Sequence, residues 1–413
     1  MGMSSKQKQI PAIRFEGFTD AWEQRKLGEL ASFSKGAGYT KGDLTAAGKP
    51  IILYGRLYTK YETVIENVDT FVDEKEKSVI SAGNEVIVPA SGETSEDISR
   101  ASVVAKAGII LGGDLNIVKP NTEIDPAFLA LTISNGRQQK ELSKKAQGKS
   151  VVHLHNSDLK EVDLVYPQKE EQSKIGIFFK HLDDTIALHQ RQLDNCKQLK
   201  SSMMQKIFNQ ELRFKDENGK DYPEWQKYDL SEIVDRVTRK NTGLISELPL
   251  TISAQYGLVD QLTFFNKTIA GVNLEAYYLL KNGEFAYNKS YSSGYPLGAI
   301  KRLDKYDAGL LSTLYICFSP RNNVDSDFLT QYFESTKWHK QIVNISGEGA
   351  RNHGLLNIAV GDFFSTEHIL PCKEEQQRIA NLLYSLDKMI DLSKRKVESL
   401  NEQKKGLVRL MFV

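Results

Sequence analysis

The sequence predicts an α+β chain built as a tandem, pseudo-two-fold repeat: two domains of mostly antiparallel β-structure with helices, separated by two long helices packing as an antiparallel coiled coil. Three observations lead there. The stretch "PQKEEQSKIGIFFKHLDDTI" (Pro167 to Ile186) returns as "PCKEEQQRIANLLYSLDKMI" (Pro371 to Ile390), at an offset of 204 residues. Each copy opens a long proline-free segment with apolar residues in steps of four and three. The regions before each copy alternate short β-like runs with turn residues. The chain divides accordingly into a first variable domain (1–166), a first long helix (167–212), a second variable domain (213–370) and a second long helix (371–413).

The repeat reaches beyond the two quoted stretches. At the same offset Gln172 falls on Gln376, Ile175 on Ile379, Leu182 on Leu386, Asp183 on Asp387, Lys200 on Lys404 and Phe208 on Phe412. A second block matches ahead of each variable region: "RFEGFTDAWEQRKLGEL" (Arg14 to Leu30) against "RFKDENGKDYPEWQKYDLSEI" (Arg213 to Ile233), which places Trp22 on Trp225. Inside the domains Gly83-Asn84-Glu85 answers Asn282-Gly283-Glu284, and Ser91 answers Ser290. A period near 200 residues is far outside the solenoid range, so each unit buries its own core.

Both shared segments begin with Pro, then two Glu and a Gln, the signature of a helix start: proline lacks a donor that the first turn does not use, and carboxylates suit the positive end of the helix dipole. The seam of the first helix runs through Leu182, Ile186, His189, Leu193, Cys196, Lys200, Met203 and Ile207, with Ile175 and Phe179 ahead of it. That of the second runs through Leu386, Ile390, Ser393, Val397, Leu400, Lys404, Leu407 and Met411, after Ile379 and Leu383. These apolar positions are the expected helix–helix and subunit interface. At 1.5 Å per residue each helix spans roughly 60 Å and needs a partner along its length. The other copy is the expected partner, as an antiparallel rod with a domain at each end. Parallel pairing, or docking of the seams on the globular parts, stays open. The polar breaks at His189, Lys200, Ser393 and Lys404 are read as register-fixing positions, and Asp183-Asp184 as a solvated face rather than a carboxylate dyad.

Composition narrows the class. Forty per cent hydrophobic residues in 413 is ordinary for globular domains, and a net charge of +1 leaves any nucleic-acid binding to locally basic loops. The three cysteines, Cys196, Cys317 and Cys372, show no paired spacing and fit a reducing cytosol; the polar "MGMSSKQKQI" start has no signal-peptide character, and cytoplasmic location is expected.

The β-like runs are "KPIILYG", "NEVIVPA", "ASVVAKAGIILGG" and "LNIVKP" in the first domain, and "LPLTISAQYG", "GEFAYNKSY", "LGAIKRL" and "LSTLYICFSP" in the second. Each domain closes on a helical stretch, "DPAFLALTISNGRQQKEL" or "SDFLTQYFESTKWHKQIV". Loops between these elements mix Lys or Arg with Ser, Tyr, Asn and Gly, groups suited to phosphate and base-edge contacts. The candidate DNA-binding residues are Lys35, Tyr39 and Lys41 in "SKGAGYTKGD", Arg56 and Tyr58 in "GRLYTK", Ser91, and Lys145 and Lys149 in "SKKAQGKS". In the second domain they are Lys240 and Asn241 in "TRKNTG", Tyr256, Lys289 and Tyr291 in "YNKSYSSGYP", and Arg351, Asn352 and His353 in "GEGARNHG".

Enzyme signatures are weak. "FSKGAG" (Phe33 to Gly38) has a glycine pair but no flanking parallel strand and helix, and no G-x-x-x-x-G-K-[ST] occurs. "VDEKEK" (Val72 to Lys77) lies in a charge run without a counterpart in the second unit. His153 and His155 have ligand spacing without a third ligand, so a structural role is favoured. No catalytic residue and no metal site is assigned.

Two variable domains alternating with two similar helices, each opened by "PQKEEQSKI" or "PCKEEQQRI", resemble the specificity (S) subunit of type I restriction-modification systems over essentially the whole chain. The resemblance implies a non-catalytic DNA reader with two target recognition domains. Each would read one half of a bipartite, asymmetric site, and the helices would act as a ruler for the gap. It implies as partners double-stranded DNA, two methyltransferase (M) subunits and motor-nuclease restriction (R) subunits, with DNA-mimic anti-restriction inhibitors as a further class. S-adenosylmethionine, ATP and magnesium would reside on partner subunits, and no cofactor on this chain. A stand-alone DNA-binding regulator and a coiled-coil scaffold with two protein-binding domains are the alternatives.

Overall fold

The six residues that open each helix explain why the sequence repeats them. Pro167 leads into a helix over Lys169–Phe208, and Pro371 into one over Lys373–Met411. Gln172 is buried; its amide nitrogen donates to the carbonyls of Pro167 (2.8 Å) and Glu123 (3.1 Å), and its oxygen accepts from the Asp125 amide (2.8 Å). Gln376 repeats this with the carbonyl of Pro371 and the amide of Asp325, both at 2.8 Å. Those aspartates cap the next helix: Asp125 accepts from the amides of Ala127 and Phe128, Asp325 from that of Phe328. One glutamine thus ties a helix start to a second helix start, and it does so twice.

The computed structural model describes residues 10–95, 97–146, 148, 151–267, 271, 273–346 and 356–412. It divides into two units. The first holds residues 1–192 and 393–413, the second residues 193–392, so each unit contains one variable domain, the start of one long helix and the far end of the other.

In the first unit the domain is entered and left on a ribbon, Glu23–Lys26 antiparallel to Asp163–Tyr166, which delivers the chain to the long helix. Its main sheet has five strands in the order Ala31–Lys35, Leu115–Pro120, Glu85–Pro89, Ser102–Val104 and Val64–Ile65. A second, four-stranded sheet orders Ile110–Leu111, Lys49–Ile52, Phe71–Val72 and Leu44–Thr45. Pairing is antiparallel except for Ile110–Leu111 with Lys49–Ile52 and Val64–Ile65 with Ser102–Val104. Gly36 is required here, because a Cβ would stand 1.9 Å from the Gly112 carbonyl oxygen. The "FSKGAG" glycine therefore serves strand packing.

The second unit repeats the frame. Gln226–Asp229 pairs with Glu367–Leu370, and a four-stranded sheet orders Val234–Arg236, Ile316–Pro320, Phe285–Asn288 and Ala299–Arg302. Two further antiparallel pairs are Leu250–Ser253 with Gly257–Asp260 and Tyr278–Lys281 with Ala308–Leu311. The matching Gly-Asn-Glu and Asn-Gly-Glu triplets are the turns into a central strand. Gly83, Asn84 and Gly283 adopt positive φ, and the buried Glu85 and Glu284 accept the amides of their own turns.

Both closing helical stretches split where one helix is the simple expectation. The first becomes Pro126–Ser134 and Gly136–Lys145, because the Ser134 and Asn135 side chains bond back to the carbonyls of Ala130 and Leu131 and Gly136 has a φ of 69°. The second becomes Ser326–Glu334 and His339–Ile345.

The long helices are structural members of these cores. In the first unit Ile175 and Phe179 pack with Trp22, Phe128, Val408, Met411 and Phe412. Phe412 lies 5.8 Å from the Phe128 ring and 5.9 Å from that of Phe179. In the second, Ile379, Leu383 and Leu386 pack with Ile207, Phe208, Phe328 and Trp338.

Candidate nucleic-acid interface

Each domain is clamped to its helix by a half-buried arginine paired with a fully buried glutamate. Arg14 Nε and Nη2 donate to Glu171 at 2.9 and 2.6 Å; Arg213 Nε and Nη2 donate to Glu375, both at 2.8 Å. The glutamate side chains are 1 % and 0 % exposed, and the hydrogen bonds to them raise the pKa of both guanidinium groups. The copies differ at tryptophan. Trp225 Nε1 donates to Glu375 (3.2 Å), whereas buried Trp22 Nε1 has no partner among the described residues.

The seam lysines are paired across helices. In the first unit Lys404 donates to Oδ1 of Asp183, while Oδ2 accepts from Thr63 Oγ1 (2.7 Å). In the second, Lys200 donates to Oδ1 of Asp387 (2.5 Å), while Oδ2 accepts from Gln331 Nε2 (2.8 Å). The first unit pairs Phe179 with Phe412 and Asp183 with Lys404, so rising numbers on one helix meet falling numbers on the other. The pairing is antiparallel there. The expectation that Asp183 belongs to a solvated face is corrected: it is half-buried and bonded twice, and only Asp184 faces solvent, bonded to Lys180 at 2.9 Å. Of the other expected interface residues, Leu193, Val397 and Leu400 are buried, and Leu182, Ile186, Met203, Ile390 and Leu407 are half-buried.

The candidate DNA contacts fall into three groups. Lys35, Lys41, Lys240, Tyr256 and Tyr291 are exposed. Lys41 sits on a preformed turn: Thr40 and Asp43 cap one another, and Lys75 bonded to Asp43 at 2.6 Å holds that carboxyl down at about 2. Lys240 lies over the Tyr278 ring at 4.4 Å and donates to the Ala276 carbonyl.

A second group is half-buried and partly engaged. Tyr58 donates to the Ser91 carbonyl (2.8 Å), Ser91 Oγ is 3.4 Å from His153 Nδ1, Lys289 donates to the Ile358 carbonyl (3.2 Å), and Lys145 closes its helix. Lys289 also lines a recess of about 150 Å³, where Arg236, Tyr278, Thr313 and Tyr315 join an apolar half that includes Val237, Leu314 and Ile316; of these, loop composition singled out Lys289 alone.

The third group is structural and is corrected. Tyr39 is 5 % exposed, with its hydroxyl bonded to Ser78 and to the Lys75 amide. Arg56 is 9 % exposed and is consumed by Asp69, Glu62 and the Asn67 carbonyl. Asn241 is fully buried, donating to the Ser246 carbonyl and accepting from the Ser246 amide. Lys149, Arg351, Asn352 and His353 lie outside the described residues.

Among the described residues no group of three metal-ligating side chains occurs; His153 ends a two-residue strand and His155 precedes a short helix. No helix there is long and apolar enough to cross a membrane. Burial pushes the Cys317 thiol up to about 12, which removes its nucleophilicity.

The family model described as type I restriction modification DNA specificity domain matches twice, over residues 19–198 and 222–402. The chain belongs to the type I restriction-modification DNA specificity family. Each match takes in one target recognition domain and most of the helix that follows it. The type I restriction enzyme MjaVIII specificity subunit of Methanocaldococcus jannaschii is 21 % identical over 419 residues, covering 95 % of this chain and 92 % of that protein. The crystal structure of a type I restriction-modification S subunit from M. genitalium superposes with a TM-score of 0.61 at 17 % identity, covering 98 % and 99 % of the two chains. A chain from a structural study of complex assembly and conformational transition in a type I system gives 0.51 at 14 % identity, covering 97 % and 98 %. The tandem α+β fold, its antiparallel sheets and its two long helices are those of the specificity subunits.

Proposed function

We propose that this specificity subunit reads a bipartite, asymmetric DNA site, with one half-site for each target recognition domain and the long helices setting the unread gap. It docks two methyltransferase subunits, and restriction subunits join the larger assembly. The chain itself performs no chemistry; S-adenosylmethionine, ATP and magnesium act on the partner subunits. The observation that carries the reading is the repetition of the frame around two unlike recognition surfaces. Arg14–Glu171 matches Arg213–Glu375, Gln172 matches Gln376, and Asp183–Lys404 matches Asp387–Lys200, while the loops carrying Lys41, Lys240 and Tyr291 differ in sequence between the units. A frame held constant around variable loops suits one assembly partner bound twice and two different sequences read.

A net charge of +1 supplies little phosphate neutralisation, so the M subunits carry much of the DNA contact. Co-purification with M subunits, followed by DNA binding at several salt concentrations, tests this. A stable complex whose affinity falls more steeply with salt than that of the S subunit alone is expected. Equal slopes, or tight specific binding without M, would replace the reading with a stand-alone DNA-binding protein.

A further inference from the structure

The structure assigns to Asp183, Lys200, Asp387 and Lys404 the fixing of helix register, and through it the length of the unread DNA gap; the second half of this inference rests on the function proposed above. Each carboxylate divides its two oxygens between two tasks. Asp183 gives Oδ1 to Lys404 of the opposite helix and Oδ2 to Thr63 of its own recognition domain. Asp387 gives Oδ1 to Lys200 and Oδ2 to Gln331. One side chain therefore sets both the axial position of the two helices and the seat of the domain upon them. The recognition domains reach it from unrelated elements: Thr63 adjoins the strand Val64–Ile65, whereas Gln331 lies in the helix Ser326–Glu334.

Apolar seams alone discriminate poorly between registers that differ by one heptad, since leucine replaces leucine. These four residues discriminate strongly. After a slip of seven residues the place of Lys404 opposite Asp183 is taken by Val397 or Met411, and the place of Lys200 opposite Asp387 by Leu193 or Ile207. All four replacements are apolar, so a slip of one heptad in either direction leaves Asp183, 24 % exposed, and the more open Asp387, 40 % exposed, without their lysines. The lysines are the register code, and they are encoded twice at the repeat offset.

The test uses the full chain with Cys196→Ser and Cys372→Ser, spin-labelled at two exposed positions of the first unit, Ile177 and Leu410. Electron–electron resonance then reports the axial register, without reference to DNA. Lys200→Met with Lys404→Met is expected to add a population displaced by about 10 Å, seven residues at 1.5 Å each. The exchanged pairs Asp183→Lys/Lys404→Asp and Asp387→Lys/Lys200→Asp, combined, restore the single distance, which a general loss of stability would not do. If the methionine variant fails to fold, Asp183→Asn with Asp387→Asn gives the same readout at constant shape. With M subunits present, methylation by the slipped variants spreads over gaps differing by about three base pairs, at 3.4 Å per pair. An unchanged single distance in a folded variant overturns the register claim. A displaced distance with an unchanged gap overturns its link to DNA spacing, and a wild-type complex without any bipartite motif overturns the functional reading while leaving the register result standing.

Discussion

Arg14→Met removes one partner of a pair whose other member is 1 % exposed, and it keeps the aliphatic volume. Glu171 receives its two strong bonds from Arg14, at 2.9 and 2.6 Å, and losing one partner of such a buried pair costs about 3–5 kcal/mol. Arg213→Met is the internal control. Glu375 keeps the Trp225 indole at 3.2 Å and the Phe214 amide at 3.3 Å, so its charge is left partly satisfied and the loss there is smaller than for Arg14→Met. Hydrogen exchange followed by mass spectrometry reads each unit separately, through core peptides around Val86–Val88 and Phe285–Tyr287. Arg14→Met is expected to speed exchange in the first unit by about two to three and a half orders of magnitude, at about 1.4 kcal/mol per tenfold, and to leave the second unit unchanged. Arg14→Met with Glu171→Leu recovers most of the loss, since replacing a buried pair by apolar groups is often neutral. A loss under about 1 kcal/mol for Arg14→Met, the range of an exposed ion pair, would refute the reasoning, and so would an equal or larger loss for Arg213→Met.

Phe412→Ala empties a space between Phe128 and Phe179 and should destabilise the first unit by about 3–5 kcal/mol, measured by the same exchange; a change confined to the last turn of the helix would show that Phe412 only decorates the core. His368 is buried and neutral, accepting at Nδ1 from Tyr332 and donating from Nε2 to Thr366, whose hydroxyl donates to the Phe363 carbonyl. Burial holds its pKa down at about 4, below the 6.5 of an unfolded histidine, so the unfolded chain binds the extra proton first. Stability of the second unit is therefore full above pH 6.5 and falls by about 3 kcal/mol as pH drops toward 4; a flat profile for its unfolding midpoint, or a loss shared by His368→Gln, contradicts this. In the M-bound complex, Lys41→Ala should lower the salt slope of DNA binding by about one without changing thermal stability, whereas Arg56→Ala should lower stability; the reverse pattern would exchange their roles.

The repeat, the heptad seams and the antiparallel β character were legible because each is a periodicity in local sequence. The pins were half legible. Lys200 and Lys404 stood out as polar breaks in an apolar seam, but their partners lie 187 and 221 positions away, so Asp183 read as solvent-facing. A signal was present, since aspartate and lysine both recur at the offset of 204 that sets the repeat. Loop composition failed where polar residues serve the domain itself. Arg56 looked like a DNA contact until Glu62 and Asp69, six and thirteen residues downstream, turned out to close on it; Asn241 likewise spends its polar atoms on its own turn, and Tyr39 spends its hydroxyl on the Lys75–Ser78 turn more than thirty residues away. Nothing in a lone basic loop distinguishes a solvent-facing lysine from an internally bonded arginine, and only acidic neighbours in sequence hint at the second.

The central claim is that one frame presents two different readers. Single-molecule sequencing of methylated DNA from cells expressing this chain with its methyltransferase subunits tests it most directly. The account predicts one asymmetric motif of two short, different half-sites around a fixed gap, with only one half changing when one recognition domain is replaced. A contiguous motif, or two identical half-sites, would contradict it.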